Sequence, residues 1–196
     1  MPCSVARGLK YAGALGSCAA VAVCTLYITG PMAQDRSQAH AVAEAGNASP
    51  IYGVTVPPGY RDWKLIAVSH LVIGKLDQLR AQLGNAIAIE AFKHGKVPFP
   101  DGTIIAALHW NRLPSEDNNK VLDDPFPGAR SFVVGSPVNV QFMVKDSKKY
   151  AATGGWGFAD FKDGKPGDEA LHQTCFGCHV PAKAHDYVFA QYVPTP

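Results

Sequence analysis

Apolar and polar positions divide this chain into three unequal parts. An almost unbroken apolar run covers Tyr11 to Thr29; Gly30-Pro31 ends it, and the chain turns polar at Gln34-Asp35-Arg36. Residues 34–50 are rich in Ala, Ser, Gln and Gly without apolar periodicity, which predicts a flexible tether. From Ile51 onward, short apolar segments alternate with turn signals. Arg61 to Ser69, aromatic and β-branched after the Pro57-Pro58-Gly59 turn, reads as a strand. Leu76, Leu79 and Leu83 have helical spacing, Gly84-Asn85 breaks that run, and Ala86 to Phe92 reads as extended. Pro98-Phe99-Pro100-Asp101-Gly102 is a turn, followed by a strand over Thr103 to Trp110. Asn111 to Arg130 is polar and punctuated by Pro and Gly, which predicts a surface loop. Further strands are expected over Pro137 to Lys145, Trp156 to Phe161 and Tyr187 to Val193, with a short helix over Asp168 to Cys175. Strands outnumber helices and the connections are short. The expected class is α+β, a mainly antiparallel sheet with a few helices.

The first part carries an address. Arg7 and Lys10 precede the apolar run, and small residues follow it, the order of a secretory signal. The run is also long enough to stay as an uncleaved membrane anchor, and Leu15-Gly16-Ser17-Cys18 resembles a lipoprotein cleavage box. Each reading puts the body outside the cytoplasm, periplasmic or exported. The division is therefore residues 1–33 as signal or anchor, 34–50 as tether, and 51–196 as one domain, with no internal repeat.

Composition adds little until it is placed. The chain has 196 residues, 47% of them hydrophobic and 17% charged, a globular composition. Its net charge of +2 comes from 18 Lys and Arg against 16 Asp and Glu. Arg7 and Lys10 account for the surplus, so the body is electrically balanced and offers no basic face for nucleic acid.

The cysteines reduce in the same way. Cys3, Cys18 and Cys24 lie in the targeting segment, leaving Cys175 and Cys178 in Cys175-Phe176-Gly177-Cys178-His179. A bare C-x-x-C in an exported chain fits a redox disulfide or half a zinc site. Zinc needs further ligands, and no second cysteine pair exists. A thioredoxin-type pair is expected near the start of its fold, not at the end. His179 directly after Cys178 makes the sequence C-x-x-C-H, the attachment pattern of c-type haem. Two thiols add to the haem vinyl groups and the histidine becomes the proximal iron ligand. One motif implies one covalent haem c, held near the C-terminus, with His179 as the metal ligand.

At these residues the chain resembles the cytochrome P-460 family, which includes the cytochromes c′-β. The likeness spans roughly residues 58–193. It rests on Gly59-Tyr60-Arg61-Asp62-Trp63, Asp101-Gly102-Thr103, Val144-Lys145-Asp146-Ser147-Lys148, Gly155-Trp156-Gly157-Phe158, the C-x-x-C-H site and Val188-Phe189. The resemblance implies a mainly antiparallel sheet, a homodimer, and a five-coordinate haem on His179. It also implies, in the hydroxylamine-oxidising members, a lysine bonded to the porphyrin where this chain has Ala107. A carboxylate in those members corresponds to Gln141, and an arginine to Asn85. Alanine cannot form that cross-link and glutamine cannot act as a general base.

If Thr103 to Trp110 is a strand, Ile105, Ala107 and His109 share one face. The resemblance puts Ala107 on the haem face, so His109 is expected to lean the same way, as sixth ligand, hydrogen-bond donor or rim residue. Gln141 and Met143 share a face of the next strand, with Met143 a possible iron cap or ordinary core. Phe92, Phe99, Phe142 and Phe158 are candidates for an apolar wall. His70, His94, His172 and His185 show no partner pattern and are assigned to surface or core. Three functions remain open. A haem protein with an open iron site would bind small ligands, nitric oxide especially. An enzyme would oxidise hydroxylamine or a related nitrogen compound. An electron carrier would need a second axial ligand, such as His109 or Met143, and a redox partner protein.

Overall fold

The computed structural model describes residues 47–193. The expected signal or anchor (residues 1–33), residues 34–46 of the expected tether and the last three residues lie outside the described residues. Six strands form one antiparallel sheet in sequential order: β1 (Lys64–Ile73), β2 (Leu76–Gly84), β3 (Ile104–Pro114), β4 (Phe132–Lys145), β5 (Trp156–Lys162) and β6 (Lys165–Pro166). Three helices accompany it: α1 (Ala86–Lys93), α2 (Glu116–Asp123) and α3 (Glu169–His179). The expected α+β class with a mainly antiparallel sheet is what the chain adopts. Packing is already in place at Ser49, which is buried and donates from Oγ to the Phe158 carbonyl at 3.1 Å.

Several expected elements differ. Arg61 and Asp62 belong to a 3-10 turn (Tyr60–Asp62), and β1 begins at Lys64 and runs on to Ile73. The leucine spacing of 76, 79 and 83 belongs to a strand, not a helix. Gly74, at φ 58°, and Lys75 close a two-residue hairpin that pairs Ile73 with Leu76. β2 then bonds β1 on one side and β3 on the other, and two ladders outweigh a three-leucine helical pattern.

The next segment, Ala86 to Phe92, is the helix α1 rather than extended. Asn85 caps it, accepting from Ala88 N at 2.9 Å, while Ala88, Ile89 and Ala91 bury one face. In the expected loop, β3 continues to Pro114, β4 starts early at Phe132, and α2 stands on the surface with no buried residue. Tyr187 to Val193 forms no strand, although Val193 N donates to the Ile66 carbonyl at 2.9 Å.

The sheet is covered on both faces. On one, Phe142 lies 5.1 Å from the Tyr60 ring and 5.9 Å from Phe161, centroid to centroid. On the other, α1, α3 and the C-terminal segment pack around Trp156, which is fully buried with Phe99 at 5.8 Å. That second face positions the C-x-x-C-H segment.

Candidate functional site

The helix carrying the two cysteines is longer than the sequence implies and ends on the histidine. Asp168 caps α3, accepting from Leu171 N at 2.8 Å, and the helix runs through Cys175 and Cys178 to His179. Three-residue spacing on a helix puts both thiols on one side, the reach a single porphyrin edge requires. Both cysteines are free thiols. Burial, with Asp160 and Cys178 nearby, pushes the Cys175 thiol up to about 11. A redox-active C-x-x-C needs the opposite shift, toward thiolate. Among the described residues, no group of three His, Cys, Asp or Glu side chains converges as a metal site.

α3 lies along β5. His172 in its first half is fully buried; its Nδ1–H donates to the Asp168 carbonyl at 2.7 Å, and its Nε2 accepts from Asp160 N at 3.2 Å. His172 is therefore a core residue joining helix to sheet. At the other end the His179 ring sits between Phe158, at 5.0 Å, and Phe189, at 5.3 Å. Its Nδ1–H donates to the Tyr187 carbonyl at 2.8 Å. That bond fixes the tautomer and leaves the Nε2 lone pair outward. Burial lowers the imidazole's proton affinity, only partly offset by the Tyr187 bond, so the ring stays neutral as an iron ligand must be. Two free thiols on one helix side and a neutral, oriented imidazole fit a c-type haem.

Strand register brings the remaining candidates onto the same sheet face. Gln82, Ala107, Gln141 and Asp160 form one row across β2 to β5. Ile105, Met143 and Phe158 form the row nearer His179, and Arg80, His109 and Asn139 the row beyond. Ala107, His109, Gln141 and Met143 thus share a face with Phe158, the residue against His179.

This face is more polar than the expected aromatic wall. Phe142 points to the opposite face, while Phe92 and Phe99 pair with each other at 4.8 Å beside α1. Of the four phenylalanines, Phe158 is the one in contact with His179. In their place stands a hydrogen-bonded cluster. The buried Asp160 carboxylate accepts from Gln141 Nε2 at 2.8 Å and from Asn139 Nδ2 at 2.5 Å.

His109 is also buried and donates from Nδ1 to Gln78 Oε1 at 3.1 Å. Burial, reinforced by the Arg80 charge and opposed by Asp160, pushes its pKa down to about 4. Its Nε2, Gln82 Oε1 and Asn139 Oδ1 are buried without a hydrogen-bond partner among the described residues. Asn85, aligned with the family arginine, is instead the α1 cap and also donates to the Gly102 carbonyl at 2.8 Å.

The sequence reading missed Asp160 and Tyr187, while His172, assigned to surface or core, is core. Asp160 has a signal in hindsight, an acid two residues from Phe158 inside the otherwise apolar stretch Trp156 to Phe161. Tyr187 acts through its carbonyl, which no side-chain pattern reveals.

Compared with known families, residues 57–190 match Cytochrome P460, more than half of the chain. Compared with curated proteins, the chain has no match.

Proposed function

The chain belongs to the cytochrome P460 family and is thereby a haem cytochrome; from this premise we propose an exported, mono-haem c-type protein with a small-ligand site. Cys175 and Cys178 form the two thioether bonds, and His179 Nε2 is the proximal ligand. The observation that carries the reading is the Nδ1 bond of His179 to the Tyr187 carbonyl, beside two free thiols on one helix. Bound haem supplies an iron that takes small ligands and exchanges one electron.

The chain's own residues favour ligand binding over substrate oxidation. Ala107 leaves room where a larger side chain would fill the row. Gln141 has its amide committed to Asp160 and carries no titratable proton. Nitric oxide is the ligand best suited to such an open position. A second reading, oxidation of hydroxylamine or a related nitrogen compound, is favoured by Asp160, a buried carboxylate in the same row as Ala107. The native assembly is proposed to be a homodimer. β1 is a sheet edge, and its Leu65, Val68, Val72 and Ile73 are exposed.

Absorption spectra with and without nitric oxide, joined to the mass of the haem peptide, test these readings. Expected are a high-spin, five-coordinate ferrous haem, a spectral shift with nitric oxide, and a mass accounting for two thioether bonds only. A low-spin, six-coordinate ferrous spectrum would overturn the open site in favour of electron transfer. Turnover of hydroxylamine with an electron acceptor would move the assignment to the second reading.

A further inference from the structure

Lys145, in the Val-Lys-Asp block that the haem chemistry leaves unused, is buried at 5% exposure beside Asp186, which is buried at 7%. Its ammonium donates to both Asp186 carboxylate oxygens at 2.8 Å and to the Gly154 carbonyl at 2.9 Å, and lies 4.9 Å from the Trp156 ring centre. Asp186 also accepts from Phe99 N at 2.8 Å. Every lone pair and proton of a buried ion pair must be met if it is to persist, and here the backbone supplies the balance.

What this pair holds is unusual. Asp186 and Tyr187 are consecutive non-glycine residues in the left-handed region, at φ 52° and 65°. L-residues disfavour that conformation, and two in a row persist only where the surroundings over-determine them. Here they do. Lys145 fixes the residue before Tyr187 and, through Gly154, the floor under the Tyr187 ring. A Cβ on Gly154 would lie 2.2 Å from that ring. Phe176 packs on the ring at 5.3 Å, and Tyr187 N donates to the Ala182 carbonyl at 2.9 Å. The outcome of this strained, doubly fastened turn is one carbonyl aimed at His179 Nδ1.

We infer that Lys145 and Asp186 are positioning residues for the axial histidine: their buried ion pair locks the Asp186-Tyr187 turn so that the Tyr187 carbonyl orients His179 and sets its donor strength. A carbonyl on Nδ1–H makes the imidazole a stronger donor, which favours the ferric state. Loosening the turn should weaken that donor. The inference rests on His179 being the proximal ligand.

The test uses the full-length holoprotein and the variants Asp186→Asn and Lys145→Arg. A double variant, Lys145→Met with Asp186→Asn, removes both charges together and leaves no buried charge unpaired if the single change does not fold. Haem content and thioether mass are measured first, then the ferrous iron–histidine stretching frequency and the reduction potential. Fully loaded Asp186→Asn, or the double variant in its place, is expected to lower the stretch. It should also raise the reduced-to-oxidised ratio about tenfold at fixed ambient potential, a shift of about 59 mV. Lys145→Arg, which keeps the charge, should stay near the native values. Unchanged stretch and potential in a loaded charge-free variant would overturn the inference while leaving the haem assignment standing. A native protein with no covalent haem, or with no histidine stretch, would remove the assignment itself.

Discussion

His109 combines deep burial, a fixed Nδ1–H and a pKa near 4, and these make one prediction at the scale of a single residue. Its folded value is depressed below the ordinary histidine value of 6.5, so the unfolded chain binds the proton first on acidification. The groups facing it are Arg80 on β2, which opposes protonation, and Asp160 on β5, which favours it. The contribution of the neutral ring is intact above about pH 6.5 and is lost as pH falls toward 4. Chemical denaturation of the native protein and of His109→Gln across that range tests this. The native protein should lose stability more steeply than the variant; parallel profiles would refute the role of His109. Gly157, in the Gly-Trp-Gly-Phe block, makes a steric prediction. A Cβ there would sit 2.3 Å from the Tyr150 ring, whose hydroxyl donates to the Tyr52 carbonyl at 3.0 Å. Gly157→Ala should destabilise by roughly 1–3 kcal/mol through overpacking, read as a lower denaturation midpoint. An unshifted midpoint would mean that the ring moves aside freely.

Among the elements, α1 depends most visibly on one side chain. Asn85 accepts from Ala88 N and from Ile104 N, at 2.9 and 3.2 Å, and donates to the Gly102 carbonyl at 2.8 Å. It therefore ties a helix start to the turn that opens β3. Asn85→Ala should cost about 1 kcal/mol for the cap alone, and more once the Gly102 carbonyl loses its donor. Thermal unfolding of the holoprotein measures it, and Asn85→Asp, which keeps the accepting oxygen, should recover part of the loss. Equal melting of the native and alanine forms would show the cap to be dispensable. The same element explains why local pattern misled. Ala86 to Phe92 contains isoleucines and a phenylalanine that favour strands, but Asn85 supplies the cap and β1 to β3 supply a surface for Ala88, Ile89 and Ala91. β2 is the converse, leucines with helical spacing held flat by a tight hairpin and two neighbouring ladders.

For the molecule as a whole, the body has two free thiols and no disulfide among the described residues. Phe158 packs against both Phe176 and His179 where Cys175, Cys178 and His179 would hold the haem, so the porphyrin would add apolar contact there. Protein made without haem attachment, for instance with both cysteines changed to serine, should be poorly folded. Calorimetry and near-ultraviolet circular dichroism decide the point. A cooperative, native-like melt of that form would refute the dependence.

The sequence by itself determined the class of fold and carried the pattern on which the proposed haem attachment rests. Cys175, Cys178 and His179 lie within five consecutive residues, so their pattern is legible in local order, and the alternation within β3, β4 and β5 needs only a period of two. Ala107, His109, Gln141 and Met143 could be set on common faces for that reason. What only the tertiary structure decided is how strands far apart in sequence meet. Asp160 comes beside Gln141, Phe142 turns away from the site, and Lys145 reaches Asp186 across 41 residues to fasten the turn behind His179. Those relations depend on register, burial and backbone angles at positive φ, which no local run of residues encodes. His179 could be named as a candidate ligand from five letters, but the Tyr187 carbonyl that its Nδ1–H meets required the fold.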